Sequence, residues 1–122
     1  MDILVTNNIL IKESYESGFQ VEYAEESLHD VLIRARGYVH NGHRLLTHPL
    51  SGSVKPNETP YKSVLISEKN GELDIRSLQI IESSILTAKN FEFKFKDMPE
   101  RYLQDFREVD FSLIRSAIVN LF

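Results

Sequence analysis

One stretch of this chain gathers residue types that could do chemistry. Thr47–Ser63, reading THPLSGSVKPNETPYKS, holds three of the four prolines, with His48 at its entrance, Ser51 and Ser53 around Gly52, and the lysines Lys55 and Lys62. Glycine lets consecutive backbone N–H groups turn towards one point, and such a nest holds anions. The two hydroxyls would add donors, and Lys55 or Lys62 would add charge. Neither the phosphate-loop nor the dinucleotide glycine spacing is present, so the competing reading is a serine-glycine turn with solvated lysines. His48 ends a predicted strand and opens the loop, a position suited to a general acid or base. Serine–lysine hydrolysis would need S-x-x-K or a G-x-S-x-G elbow, and the chain has neither.

His40, His43 and His48 fall within nine positions, and Glu58 could join them around a metal. The spacing matches no established zinc pattern, so no metal site is expected. For His40 and His43 the simpler role is at a helix end, where the dipole favours an imidazolium. Glu58 belongs with Asn57 and Thr59 in a turn between two prolines. The connection has no helical or strand period of its own. A connection of that length in a compact domain is functional or disordered, and its prolines and turn residues argue against disorder.

Composition narrows what the site could serve. The 122 residues suit one domain, 1–122, with a single core. A net charge of −4 and no lysine/arginine cluster leave no basic field for a nucleic acid. No apolar run approaches the ~20 residues of a membrane span. The start, MDILVTNN, has no basic segment before its strand pattern, so no secretory leader and a cytoplasmic location are expected. There is no cysteine, hence no disulfide, thiol nucleophile or thiolate metal ligand in this chain. No cofactor is implied.

The elements that must position these residues follow from periodicity. Asp2–Thr6 is a short buried strand, after which Asn7-Asn8 caps a helix to about Ser17, with Gly18 in the left-handed stop position. Phe19–Tyr23 alternates as a second strand. Ser27 starts a helix with Leu28, Val31, Leu32, Ala35 and Val39 on one stripe, ended by Asn41-Gly42. Arg44–Thr47 is a third strand and Lys62–Ser67 a fourth. Asp74 caps a helix to about Ala88, with Ile80 and Leu86 lying off its main stripe as though it were buried on two sides. Asn90–Lys96 alternates Phe91, Phe93 and Phe95 as an edge strand. Pro99 opens one further helix, and Asp110 caps a last one carrying Leu113, Ile114, Ala117, Ile118 and Leu121.

This order predicts a three-layer α/β domain with a mainly parallel sheet of four to five strands. Right-handed crossovers would set Asp2–Thr6 and Arg44–Thr47 side by side and parallel, a flavodoxin-like, Rossmann-like order 2-1-3 at the core. Ligands in such sheets bind outside the carboxyl ends of the strands, where the winding reverses. Asn7 and Asn8 would meet the Thr47–Tyr61 segment there. The predicted ligand-binding set is therefore Asn7, Asn8, His48, Ser51, Gly52, Ser53, Lys55 and Lys62. The apolar stripe of the last helix, running out to Leu121-Phe122, predicts a homodimer.

The segment LLTHPLSGSVKPNETPYKSVLIS, with ILVTNN near the start and PERYLQDF near the end, resembles the GrdX family. Its members are small proteins whose genes accompany the glycine, sarcosine and betaine reductase systems of amino-acid-fermenting anaerobes. The resemblance implies that setting, and with it a possible protein partner in a reductase complex. It implies no catalytic residue. Two functions follow as alternatives. One is an accessory protein binding a small anion or a partner through the 47–63 loop; the other is a small enzyme on an anionic metabolite with His48 as acid/base.

Overall fold

The structure is a computed structural model that describes residues 1–50, 58–69, 71–90 and 97–121. Among these residues the elements run β1 (Ile3–Thr6), α1 (Ile9–Tyr15), β2 (Gln20–Tyr23), α2 (Leu28–His40), β3 (Ser63–Ile66), α3 (Ile75–Asn90) and α4 (Glu100–Leu121). β1 is the central strand of a three-stranded sheet in the order β2-β1-β3. Its pairing with β2 is parallel, and its pairing with β3 is antiparallel.

The period of two along a strand sends alternate side chains to opposite faces. Ile3 and Val5 of β1, with Val64 and Ile66 of β3, join Leu28, Val31, Leu32, Ala35 and Val39 of α2 and Ile81, Ile85 and Ala88 of α3. Leu4 and Leu65 face the other way, onto Ile11 of α1 and Ile114 of α4. Helices thus cover both faces of the sheet. The layer order and the place of β2 beside β1 agree with the expectation from sequence; the order again reads 2-1-3, but its third strand is a different segment.

The sheet itself is a correction: it has three strands and is mixed, in place of four to five strands mostly parallel. The place beside β1 belongs to Ser63–Ile66, and Arg44–Thr47 lies outside it. That segment runs antiparallel along the outer edge of β3, through the Leu45–Ile66 bridge, Leu46 N–H to Leu65 O (2.9 Å) and Ser67 N–H to Arg44 O (2.9 Å). The Thr47 hydroxyl accepts from Leu65 N–H (3.0 Å), replacing a backbone carbonyl and ending the ladder. A parallel neighbour requires a crossover element, whereas the connection after Thr47 returns the chain directly as an antiparallel strand. The expected strand at 90–96 is not found at Asn90, which ends α3, and positions 91–96 lie outside the described residues.

Local signals set most helix ends. Asn8 accepts from Leu10 N–H, Ser27 from Asp30 N–H and Asp74 from Ser77 N–H, each satisfying a donor in a first turn. Gly42 leaves α2 at φ 94°, and a β-carbon there would meet the Gly71 backbone at 3.2 Å, so glycine serves both the turn and the close approach. Gly18 does not adopt the left-handed conformation expected of it, and α1 has already ended at Tyr15. Leu86 is 63% exposed, so α3 is buried on one side only. The two expected C-terminal helices are a single helix, because no glycine or proline interrupts 100–121. Asp110 sits in its middle, 4% exposed, and caps nothing.

Candidate functional site

At the carboxyl end of β1 the register pairs Thr6 with Ser63. Both side chains fall on the face covered by α1 and α4, and their hydroxyl oxygens are 2.7 Å apart. The Ser63 hydroxyl donates onward to Asp110 Oδ2 at 2.7 Å, and Asn8 N–H donates to Thr6 Oγ1 at 3.0 Å. An ionised carboxylate only accepts, so the donors align in one direction, from Asn8 N–H through Thr6 and Ser63 to Asp110. Asn8 Nδ2 adds a second donor to Asp110 Oδ2 (3.0 Å) and another to the Arg107 carbonyl (2.9 Å). Asn8 therefore caps α1 and fastens α4 with one side chain.

Asn7 fastens the connection in the same way. Its Nδ2 donates to the carbonyls of Glu26 and Pro60, both at 2.9 Å, and its Oδ1 accepts from Lys62 N–H at 2.9 Å. Both amide hydrogens of Asn7 and of Asn8 are used within the chain. The two asparagines build the site and leave no side-chain N–H for a ligand. Arg34 ties the neighbouring strand end, with its guanidinium paired to Glu26 and hydrogen-bonded to the carbonyls of Glu22 (3.0 Å) and Thr6 (3.1 Å).

The charged centre of this region is Lys62 with Asp110. Lys62 is 8% exposed. Burial pushes its ammonium below the usual lysine range, and the negative charge of Asp110 works against that shift. Burial raises the Asp110 carboxyl above the usual range, opposed by the hydrogen bonds from Asn8 and Ser63 and by the charge of Lys62. The charge of each thus works against the shift that burial imposes on the other. Both line a cavity of about 20 Å³ together with Thr47, His48, Ser63 and Ile114, room for about one water molecule.

His48 stands exposed at the rim. Its Nδ1 accepts from Leu50 N–H at 3.1 Å. That bond assigns the ring proton of neutral His48 to Nε2. His48 and Lys62 line the same small cavity. The other central histidines keep structural roles: His43 Nδ1 lies 2.9 Å from the Ser67 carbonyl and its ring meets Tyr38 edge-on, while His40 lies 3.7 Å from a carboxylate oxygen of Glu82. Among the described residues no cluster of three histidine, aspartate or glutamate side chains is placed to hold a metal. Thr59 Oγ1 accepts from Tyr61 N–H, a turn contact of the kind expected between the prolines.

The sequence-predicted residues thus divide. Asn7 and Asn8 follow β1, Asn7 bonds to Lys62 N–H, Asn8 to Asp110, and His48 lines one small cavity with Lys62 and Asp110. Ser51, Gly52, Ser53 and Lys55 lie outside the described residues. Thr6, Ser63 and Asp110 stand outside the predicted set: the first two were read only as ends of the two segments, and Asp110 as a helix cap. A signal for Asp110 existed, since it stands four residues before Ile114 on the buried stripe of an unbroken helix, where a carboxylate needs partners.

A mixed three-layer α/β protein with a buried, fully partnered polar cluster at one end of its sheet is the class these features define. Among the described residues every buried side-chain nitrogen and oxygen has a hydrogen-bond partner. The family model for GrdX-like protein matches residues 3–119, and the chain belongs to that family. No curated protein and no solved structure matches it. Among the described residues no helix is long and apolar enough to cross a membrane.

Proposed function

We propose that the protein is a non-enzymatic accessory protein that holds a small anion at the mouth of the small cavity that His48 and Lys62 line, in the setting of glycine reductase-type fermentation. The observation carrying this reading is the burial of Lys62 beside His48 at the carboxyl end of the central strand. A buried ammonium and a rim imidazole that line one cavity wall are groups that can donate to an oxyanion, and burial strengthens the lysine contact. The negative charge of Asp110 opposes the loss of the Lys62 charge that burial favours. The alternative, His48 as a general base, is less well served, because the bond from Leu50 leaves the neutral ring with a proton on Nε2.

Calorimetric titration with inorganic phosphate, acetyl phosphate and glycine tests this reading. Lys62→Met keeps the length of the side chain and removes its charge, and it should weaken the best ligand about ten- to a hundredfold. Absent heats for all three, or equal affinity in the variant, would overturn the proposal. Turnover of acetyl phosphate that is lost in His48→Gln would replace it with the enzyme reading. We further propose that the half-covered end of α4, with Val119 and Leu121 exposed, pairs two copies. Light scattering of the same samples that returned about 14.1 kDa would remove that dimer.

A further inference from the structure

We infer that a second anion site lies in the groove between the Arg44–His48 segment and the start of α3, and that it takes a compact dianion of the phosphate-monoester class. The groove has a volume of about 460 Å³, in the range of metabolite pockets. Arg44, Arg76 and His48 line it, with Asp74 as the one carboxylate. In a chain of net charge −4 this is a local reversal of sign.

The arginines of this protein fall into different situations. Arg34, Arg36 and Arg107 each sit on a glutamate. Among the described residues neither guanidinium of Arg44 and Arg76 forms an ion pair or hydrogen bond, though both act on Asp74 through space. Asp74 is occupied: its Oδ2 accepts from the Ser77 N–H (3.0 Å) and hydroxyl (2.6 Å), and these bonds hold its carboxyl below the usual range. One anion therefore faces two cations and is already committed to capping α3.

The backbone beneath the arginines is fixed. Arg44 N–H donates to Ser67 Oγ (2.8 Å), and its carbonyl accepts from Ser67 N–H (2.9 Å). Leu45 N–H donates to Ser77 Oγ (3.0 Å), joining the segment to α3. The distance between the two arginine stems is thus set by the scaffold. Guanidinium forks bind phosphate oxygens in pairs, and two forks match the charge and oxygen count of a phosphate monoester better than those of a single carboxylate. The groove shares Thr47 and His48 with the Lys62 cavity but uses neither Lys62 nor Asp110.

Titrating the ¹⁵N-labelled full chain with inorganic phosphate, and following backbone amides 44–48 and 75–77, tests the inference. Saturable shifts at both segments are expected, weakened about tenfold or more in Arg44→Gln and in Arg76→Gln. They should persist in Lys62→Met and in Arg115→Gln, the latter removing the same charge from α4. Absence of saturable shifts at these amides would overturn the inference, as would equal weakening in Arg115→Gln. Shifts abolished by Lys62→Met would also overturn it, while leaving the cavity reading standing. Shifts kept at both segments in Lys62→Met, with none around Ser63 in the wild type, would support the groove and remove the cavity reading.

Discussion

The two faces of the sheet are built on different principles. On the α2/α3 face, Leu32, Val31, Ala35, Val39 and Ile81 are fully buried and wholly apolar. On the α1/α4 face a smaller apolar set, Leu4, Ile11, Leu65 and Ile114, adjoins Thr6, Asn8, Lys62, Ser63 and Asp110, all buried too. The first face gains stability from area removed from water, about 1.5–3 kcal/mol for each large aliphatic side chain. The second removes charges from water and recovers that cost only through mutual bonds. Buried charges are poor sources of stability and frequent features of functional sites. The difference assigns cohesion mainly to one face and candidate chemistry to the other.

The largest effect should come from breaking the polar face on one side only. Asp110→Ala leaves Lys62 without its counter-charge and Asn8 and Ser63 without an acceptor, which should cost about 3–5 kcal/mol. The double variant Lys62→Met/Asp110→Leu should recover part of that loss, because no charge is then left alone. Urea denaturation of wild type, single and double variants decides this. A double variant as unstable as the sum of its singles would refute the coupling.

On the apolar face no such recovery exists. Leu32→Ala should cost about 2–5 kcal/mol through lost transfer energy and a residual cavity. The same denaturation should show additivity with Asp110→Ala within about 0.5 kcal/mol, since the sheet separates the sites. Strong non-additivity would mean that the faces are energetically one unit.

The smallest and most specific effect concerns pH. The folded chain holds the Asp110 proton more tightly than an unfolded aspartate does, so this residue contributes most stability in acid and loses it as pH rises from the ordinary value of 3.8 towards its folded one. Asp74 and Glu100, with lowered values, contribute in the opposite sense, and their stabilisation is lost as pH falls. The raw stability curve mixes the two. Wild-type stability minus that of Asp110→Asn isolates the first, and it should decline with rising pH across the carboxylate range. A flat difference would show that Asp110 ionises as readily folded as unfolded, and a rising one that it ionises more readily when folded; either refutes the prediction.

How far sequence reasoning reached can be judged from single residues. The caps Asn8, Ser27 and Asp74 and the stop at Gly42 were readable, as was the approach of Asn7 to the end of the 47–63 connection at Pro60 and Lys62. The direction of β3 was not readable, because SVLI, buried on both faces, pairs equally well either way. Asp110 was read as a cap, which aspartate favours when its neighbours alone are considered. Its partners lie far away in sequence, Ser63 by 47 positions and Asn8 by 102.

What the sequence determined by itself was whatever is settled within a turn or two of chain: helix starts, strand alternation, the apolar stripe of α2 and the unusual composition of the 47–63 connection. These depend on hydrogen bonds and side-chain faces spanning about four residues, so their signals lie next to one another in the text of the chain. Only the tertiary structure decided which strand lies beside β1, that α4 continues past Asp110, and that Lys62 and Asp110 share one cavity. Those outcomes depend on burial, and a buried polar group is tolerated only where distant segments supply its partners.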